Sequence, residues 1–219
     1  MKSVRIAALF VLLLASITAR AESLVVNGSL NGGIANQDVP SGWTVLEGTP
    51  DTMDPSNNIG VSGLQSFGVT PTFSFDGGTW VGLGADAGYV ERFGQLLQGL
   101  SIGQTYTVTW EAANFGIDRG TSSYLGSNAI GVMLDGAFLG QGATLGLSSN
   151  WVRESLTFVA TASSQQLSFR LAGFEKAYLG IDGIAVSTGV APAVPEPGTW
   201  VLMGVGLIGL AGVSARRRA

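Results

Sequence analysis

The chain contains no Cys and no His, and that absence bounds its chemistry before any pattern is read. Imidazole- or thiolate-based nucleophilic relays, thiolate- or imidazole-ligated zinc, haem and iron–sulfur ligation and disulfides all require one of the two. Carboxylates and aromatic rings are left. Glu91, Glu111, Asp118, Asp135, Glu154 and Glu175 are spread through the middle of the chain. A glycosidase would need two such acids about 5–9.5 Å apart in a cleft, and nothing in their spacing selects a pair. Sugar binding asks for rings that stack on a pyranose and for polar groups that orient its hydroxyls. Trp80, Tyr89, Phe115, Tyr124 and Tyr178 are candidate rings, and the segment 114–127 brings Asn114, Asp118, Arg119 and Tyr124 together.

The elements that must position these residues are short strands. Residues 22–188 alternate brief apolar runs with Gly, Pro, Asn and Asp, and Gly occurs 33 times in the 219 residues, as expected for many turns. Candidate strands are 24–26, 43–47, 79–83, 91–97, 105–112, 129–134, 152–158, 167–171 and 179–186. In 105–110 the residues Tyr106, Val108 and Trp110 share one face and three threonines the other, so one side is dry and the other wet. That pattern predicts antiparallel sheets. Nine such strands without a helical period predict an all-β fold, a two-sheet antiparallel jelly-roll sandwich. The Gly-rich stretch 51–67 reads as a long loop.

Targeting segments flank this domain. Lys2 and Arg5 precede the apolar run 6–14, and Ala19-Arg20-Ala21 is the small-x-small pattern that signal peptidase reads, so 1–21 is expected to be a cleaved signal peptide. At the other end, Pro195-Glu196-Pro197 interrupts any ladder or helix within the linker 189–198. The hydrophobic stretch 199–219 follows and closes on Arg216, Arg217 and Arg218. Its apolar part is at or just below the ~17–25 residues of a spanning helix, with the arginines on the cytoplasmic side. Between these ends, residues 22–194 hold five basic residues against 14 of the 15 acids, which disfavours binding nucleic acid or anionic polymers through bulk electrostatics.

Pro195-Glu196-Pro197, a short Gly-rich apolar helix and a terminal Arg cluster together resemble the PEP-CTERM sorting signal. The resemblance implies cleavage near the motif by an exosortase-like membrane protease. It also implies transient inner-membrane anchoring and delivery to the cell surface or medium of an exopolysaccharide-producing Gram-negative bacterium. A tail that is never processed, acting as an ordinary anchor, is the alternative.

Phrases within the domain resemble the galactose-binding-like sandwiches of carbohydrate-binding modules. They are Val26-Asn27-Gly28-Ser29-Leu30, Gly42-Trp43, the run 93–106, Val132-Met133-Leu134-Asp135-Gly136 with Trp151, Leu167-Ser168-Phe169 and 179–184. The resemblance implies core positions for Trp43 and Trp151. It implies a candidate structural Ca²⁺ held by Asp182 and carbonyls near Ser29, oxygen ligands being what that ion requires; a capped turn or a satisfied strand-end Asp is the alternative. The candidate glycan residues are then Trp80, Tyr89, Asn114, Phe115, Asp118, Tyr124 and Tyr178. The reading is an exported, non-catalytic surface or matrix protein, associated with polysaccharide, with a dedicated carbohydrate-binding module as the alternative and a glycosidase or lyase ranked last.

Overall fold

A computed structural model of the chain describes residues 23–56 and 66–189. The expected signal peptide, the Pro-Glu-Pro motif and the hydrophobic tail lie outside the described residues. Among the described residues thirteen strands form: β1 (Thr44–Glu47), β2 (Asp51–Met53), β3 (Ser66–Phe67), β4 (Trp80–Asp86), β5 (Tyr89–Val90), β6 (Arg92–Gln98), β7 (Thr105–Ala113), β8 (Ile117–Asp118), β9 (Ile130–Leu134), β10 (Ala137–Gln141), β11 (Val152–Val159), β12 (Ser164–Leu171) and β13 (Ala177–Thr188). A five-stranded sheet runs β1-β6-β12-β9-β10 and a six-stranded sheet β11-β7-β13-β4-β2 with β5 on β4, while β3 and β8 form a small ribbon. Every pairing is antiparallel. Among the described residues no helix is long and apolar enough to cross a membrane.

The alternation read in the sequence becomes the core between the sheets. Tyr106, Val108, Trp110 and Ala112 of β7 face Phe93 and Leu97 of β6, Leu167, Phe169 and Leu171 of β12, and Ile130 and Val132 of β9 in one cluster. Trp43 joins it through Phe93, with ring centroids 5.0 Å apart. Along β13 the inward set shifts phase. Leu179 and Ile181 point in, then a bulge between Asp182 and Ala185 resets the register so that Ile184 and Val186 point in. Gly183 at φ +56° makes that bulge, because a left-handed backbone costs a residue with a Cβ.

A second apolar cluster lies on the far side of the six-stranded sheet. Trp80, Phe115, Ile117, Trp151, Tyr178 and Met53 pack there, with Trp80 5.6 Å from Trp151 and 5.5 Å from Phe115 between centroids. Segments from the loops after β7 and β10 cover this part of the sheet, so it is dry on both faces, whereas alternation alone predicts a wet one. The opening segment also differs from expectation. Residues 24–26 are not a strand; Leu24 donates one backbone bond to Val186, and the chain then turns through Asn27 and Leu30, both at positive φ. The stretch expected as one long loop begins with β2 and ends with β3.

Candidate functional site

The outward face of the five-stranded sheet carries a groove of about 470 Å³. Residues of even number on β6 and β12 point outward, because Phe93, Leu97, Leu167 and Phe169 occupy the core and strand side chains alternate. Gly94, Leu96 and Gln98 therefore stand beside Ser168, Gln166 and Ser164, their register partners. Gly94 lies beneath the groove, and close packing of β6 on β12 requires it, since an added Cβ would collide with the Leu167 carbonyl and lie 2.8 Å from both Gln166 Nε2 and Ser168 Cβ. Thr44, Gln98 and Gln166 offer hydroxyl and amide groups, and Leu24, Val26 and Leu96 give apolar walls. Val26 and Leu96 are mostly exposed.

Gln95 fixes the groove's outer wall. Its Oε1 accepts from the Val26 backbone N–H at 2.8 Å, and its Nε2 donates to the carbonyls of Val26 (2.9 Å) and Gly42 (2.6 Å). A buried amide that satisfies three backbone groups ties the opening segment to β6, where no strand pairing would hold it.

The rings and polar groups expected to bind glycan fall elsewhere, and most are interior. Trp80 and Phe115 sit in the second cluster at no more than 1% exposure, and Tyr178 is at 3%. A sugar cannot stack on a ring it cannot reach, and burial withdraws all three from that role. Asn114 is equally buried, its Nδ2 donating to the Gly126 and Leu145 carbonyls at 2.9 and 2.8 Å, which makes it a staple for two loops. Asp118 is exposed and accepts from the Gly120 N–H and the Ser123 hydroxyl; the Ser123 bond first, then the Gly120 bond, holds its pKa below the usual value. Tyr124 is half-buried, with Lys176 Nζ 4.5 Å and Arg119 Cζ 5.4 Å from its ring centroid. Tyr89 keeps 37% exposure.

Tyr89 and Tyr178 belong to a network that the spacing of the acids did not suggest. Asp51 accepts from the Tyr178 hydroxyl at 2.8 Å and the Gln37 N–H at 2.8 Å. Glu91 accepts from the Gly84 N–H at 2.5 Å, the Tyr89 hydroxyl at 2.8 Å and the Thr49 hydroxyl at 3.1 Å. Gly84 lets Glu91 and Tyr178 share the sheet surface, for an added Cβ would lie 3.3 Å from each. Burial, outweighing these hydrogen bonds, pushes Glu91 up to about 7 with a further push from Asp51; it also raises Asp51. Both carboxylates are nearly inaccessible, at 5% and 6% exposure.

Asp182, at the bulge, has no exposed surface. Its Oδ2 accepts from the Ser74 hydroxyl at 2.5 Å, while Oδ1 is buried without a partner. Burial drives its pKa up to about 8 against the opposing bonds from Ser74 and Gly183, and the nearby Asp76 and Glu111 add to the rise. Either a proton or a cation would satisfy Oδ1, and oxygen donors suit Ca²⁺. The carbonyls around Ser29 are already engaged, Gly28 by the Ile184 N–H and Asn27 by the Leu30 N–H, with Trp43 Nε1 also on Asn27 and Thr79 on Leu30. Among the described residues no three acids cluster around one point.

Comparison with known proteins bears on the tail and the fold separately. Residues 193–218 match the PEP-CTERM protein-sorting motif. The motif marks an exported protein sorted to the cell surface. No curated protein sequence matches the chain. Among solved structures, the domain is similar to an arabinose-bound GH51 α-L-arabinofuranosidase (14% identity, TM-score 0.50, covering 76% of this chain and 26% of that one). It is also similar to the enzymatically active domain of bacteriophage CBA120 tailspike protein 4 (13%, 0.47, 76% and 21%). A third is the CBM22-1 xylan-binding domain of Paenibacillus barcinonensis Xyn10C (13%, 0.46, 78% and 97%). The chain thus corresponds to about a quarter or less of the first two proteins, and carbohydrate-binding-module sandwiches are among its structural neighbours.

Proposed function

We propose that this is a non-catalytic, glycan-binding surface or matrix protein, with the groove on the five-stranded sheet as its binding site. The observation that carries the reading is the groove itself. Thr44, Gln98 and Gln166 offer hydroxyl and amide groups that can orient sugar hydroxyls, and the apolar walls of Leu24, Val26 and Leu96 flank them. The structural neighbours that include carbohydrate-binding modules accord with it. Affinity electrophoresis of the full chain through gels containing soluble polysaccharides tests it. Retardation that is lost in Gln98→Ala/Gln166→Ala supports the reading, and unchanged retardation in that variant removes the groove.

Processing by an exosortase-like protease, with transient anchoring through residues 199–219 and attachment to exopolysaccharide, belongs to the same proposal. A hydrolase reading has one observation in its favour, the coupled Asp51 and Glu91. Their burial argues against it, since a scissile bond must come between or beside catalytic carboxylates. Loss of polysaccharide cleavage in Glu91→Gln would revive that reading.

A further inference from the structure

Next to the groove floor, two arginines stand side by side. Arg92 and Arg170 are register partners on β6 and β12, and both face outward in the row adjoining Gly94 and Ser168. Like charges directly opposite in a sheet repel. One carboxylate answers them: Glu47, itself half-exposed, lies 3.5 Å from Arg92 Nε. Arg170 makes no ion pair or side-chain hydrogen bond among the described residues, and its Nε is buried without a partner. The pairing is costly, and among the described residues Glu47, on the Arg92 side, is the one carboxylate within ion-pair distance of either guanidinium.

The row continues past Arg170. Its partner on the other side is Gly131 of β9, and over that glycine lies Phe138 of β10, whose ring carbon would be 3.1 Å from an added Cβ. Phe138 is 52% exposed. An aromatic ring seated over a buried glycine and two guanidinium groups thus form one row across the sheet, beside the Gly94–Ser168 pair.

We propose that this row selects an acidic polysaccharide, with Arg92 and Arg170 gripping the carboxylate of a uronic acid and Phe138 stacking on a neighbouring ring. The inference rests on the glycan reading of the groove and names its substrate class. Guanidinium groups match a carboxylate in bidentate geometry, and a ligand carboxylate that reaches Arg170 adds to Glu47 in offsetting the Arg–Arg repulsion when it binds.

Affinity electrophoresis of the full chain on alginate, on a sulfated dextran and on neutral xylan tests the assignment. The expected result is alginate retardation that weakens with salt and falls about tenfold in Arg170→Gln, the scale of one charge-assisted contact, with neutral xylan unaffected by the substitution. Arg170→Lys, which keeps charge but not the fork, should retain only part of the alginate binding. Equal retardation by xylan and alginate, or an unchanged Arg170→Gln of native melting temperature, overturns the acidic preference while leaving the groove standing. Preference for the sulfated polymer over alginate overturns the carboxylate assignment. Absence of binding to all three, in wild type and variants alike, defeats the glycan reading itself.

Discussion

Replacing Asp182 by Asn tests how the bulge in β13 manages a buried acid. The carboxyl is fully buried with one unpartnered oxygen, and burial lifts its pKa from 3.8 to about 8. The folded chain therefore holds a proton that the unfolded chain releases near pH 4. Stability from this group is complete below that pH, declines as pH rises toward 8, and is level above it. The gap between the two values sets a ceiling of roughly 6 kcal/mol, and relaxation around the charge should reduce the measured effect to ~2–4 kcal/mol. Asn cannot ionise, and its carbonyl can still accept from Ser74. Denaturant unfolding of the wild type and Asp182→Asn in EDTA from pH 4 to 9 should give curves that coincide at the acid end, with the variant more stable by ~2–4 kcal/mol at the alkaline end. A difference that does not vary with pH refutes the reasoning. Stabilisation of the wild type by millimolar Ca²⁺, absent from the variant, would also refute it, because the carboxylate would then be ionised and holding the ion.

Other outcomes follow from the same geometry. Glu91→Gln should be neutral at pH 4 and stabilising by about 1–2 kcal/mol at pH 8, read by thermal melting, because the native acid is raised from 4.5 to about 7 and the wild type loses stability as pH rises through that window and no further above it. Trp80→Ala should cost about 3–5 kcal/mol and leave polysaccharide affinity per folded molecule unchanged, as an interior ring requires; a selective loss of affinity would return it to the binding site. Intact-mass analysis of protein from the native host should find a form beginning near Glu22 and ending near Pro195, lost in Pro195→Ala/Pro197→Ala. A chain still carrying Arg218 would mean an unprocessed anchor.

Much of this molecule is determined by local sequence. Alternation in 105–110 placed Tyr106, Val108 and Trp110 in the core because a strand has only two faces. The Pro-Glu-Pro break, apolar run and Arg cluster are contiguous, so a sorting signal built from them is legible without a fold. The absence of Cys and His removes whole classes of chemistry at once.

What only the tertiary structure decided is which side of a strand stays wet and which residues become neighbours. Trp80, Phe115 and Tyr178 look like exposed platforms until the loop segments around Phe67 and Trp151 cover the sheet beneath them. Asp51, Glu91 and Tyr178 are remote in sequence and meet because β2 and β13 both pair with β4. The same holds for Gln98 with Gln166 and for Arg92 with Arg170. Alternation assigns each to the outward face of its own strand, but the register that sets β6 against β12 comes from long-range pairing and core packing, and short-range pattern carries no record of it.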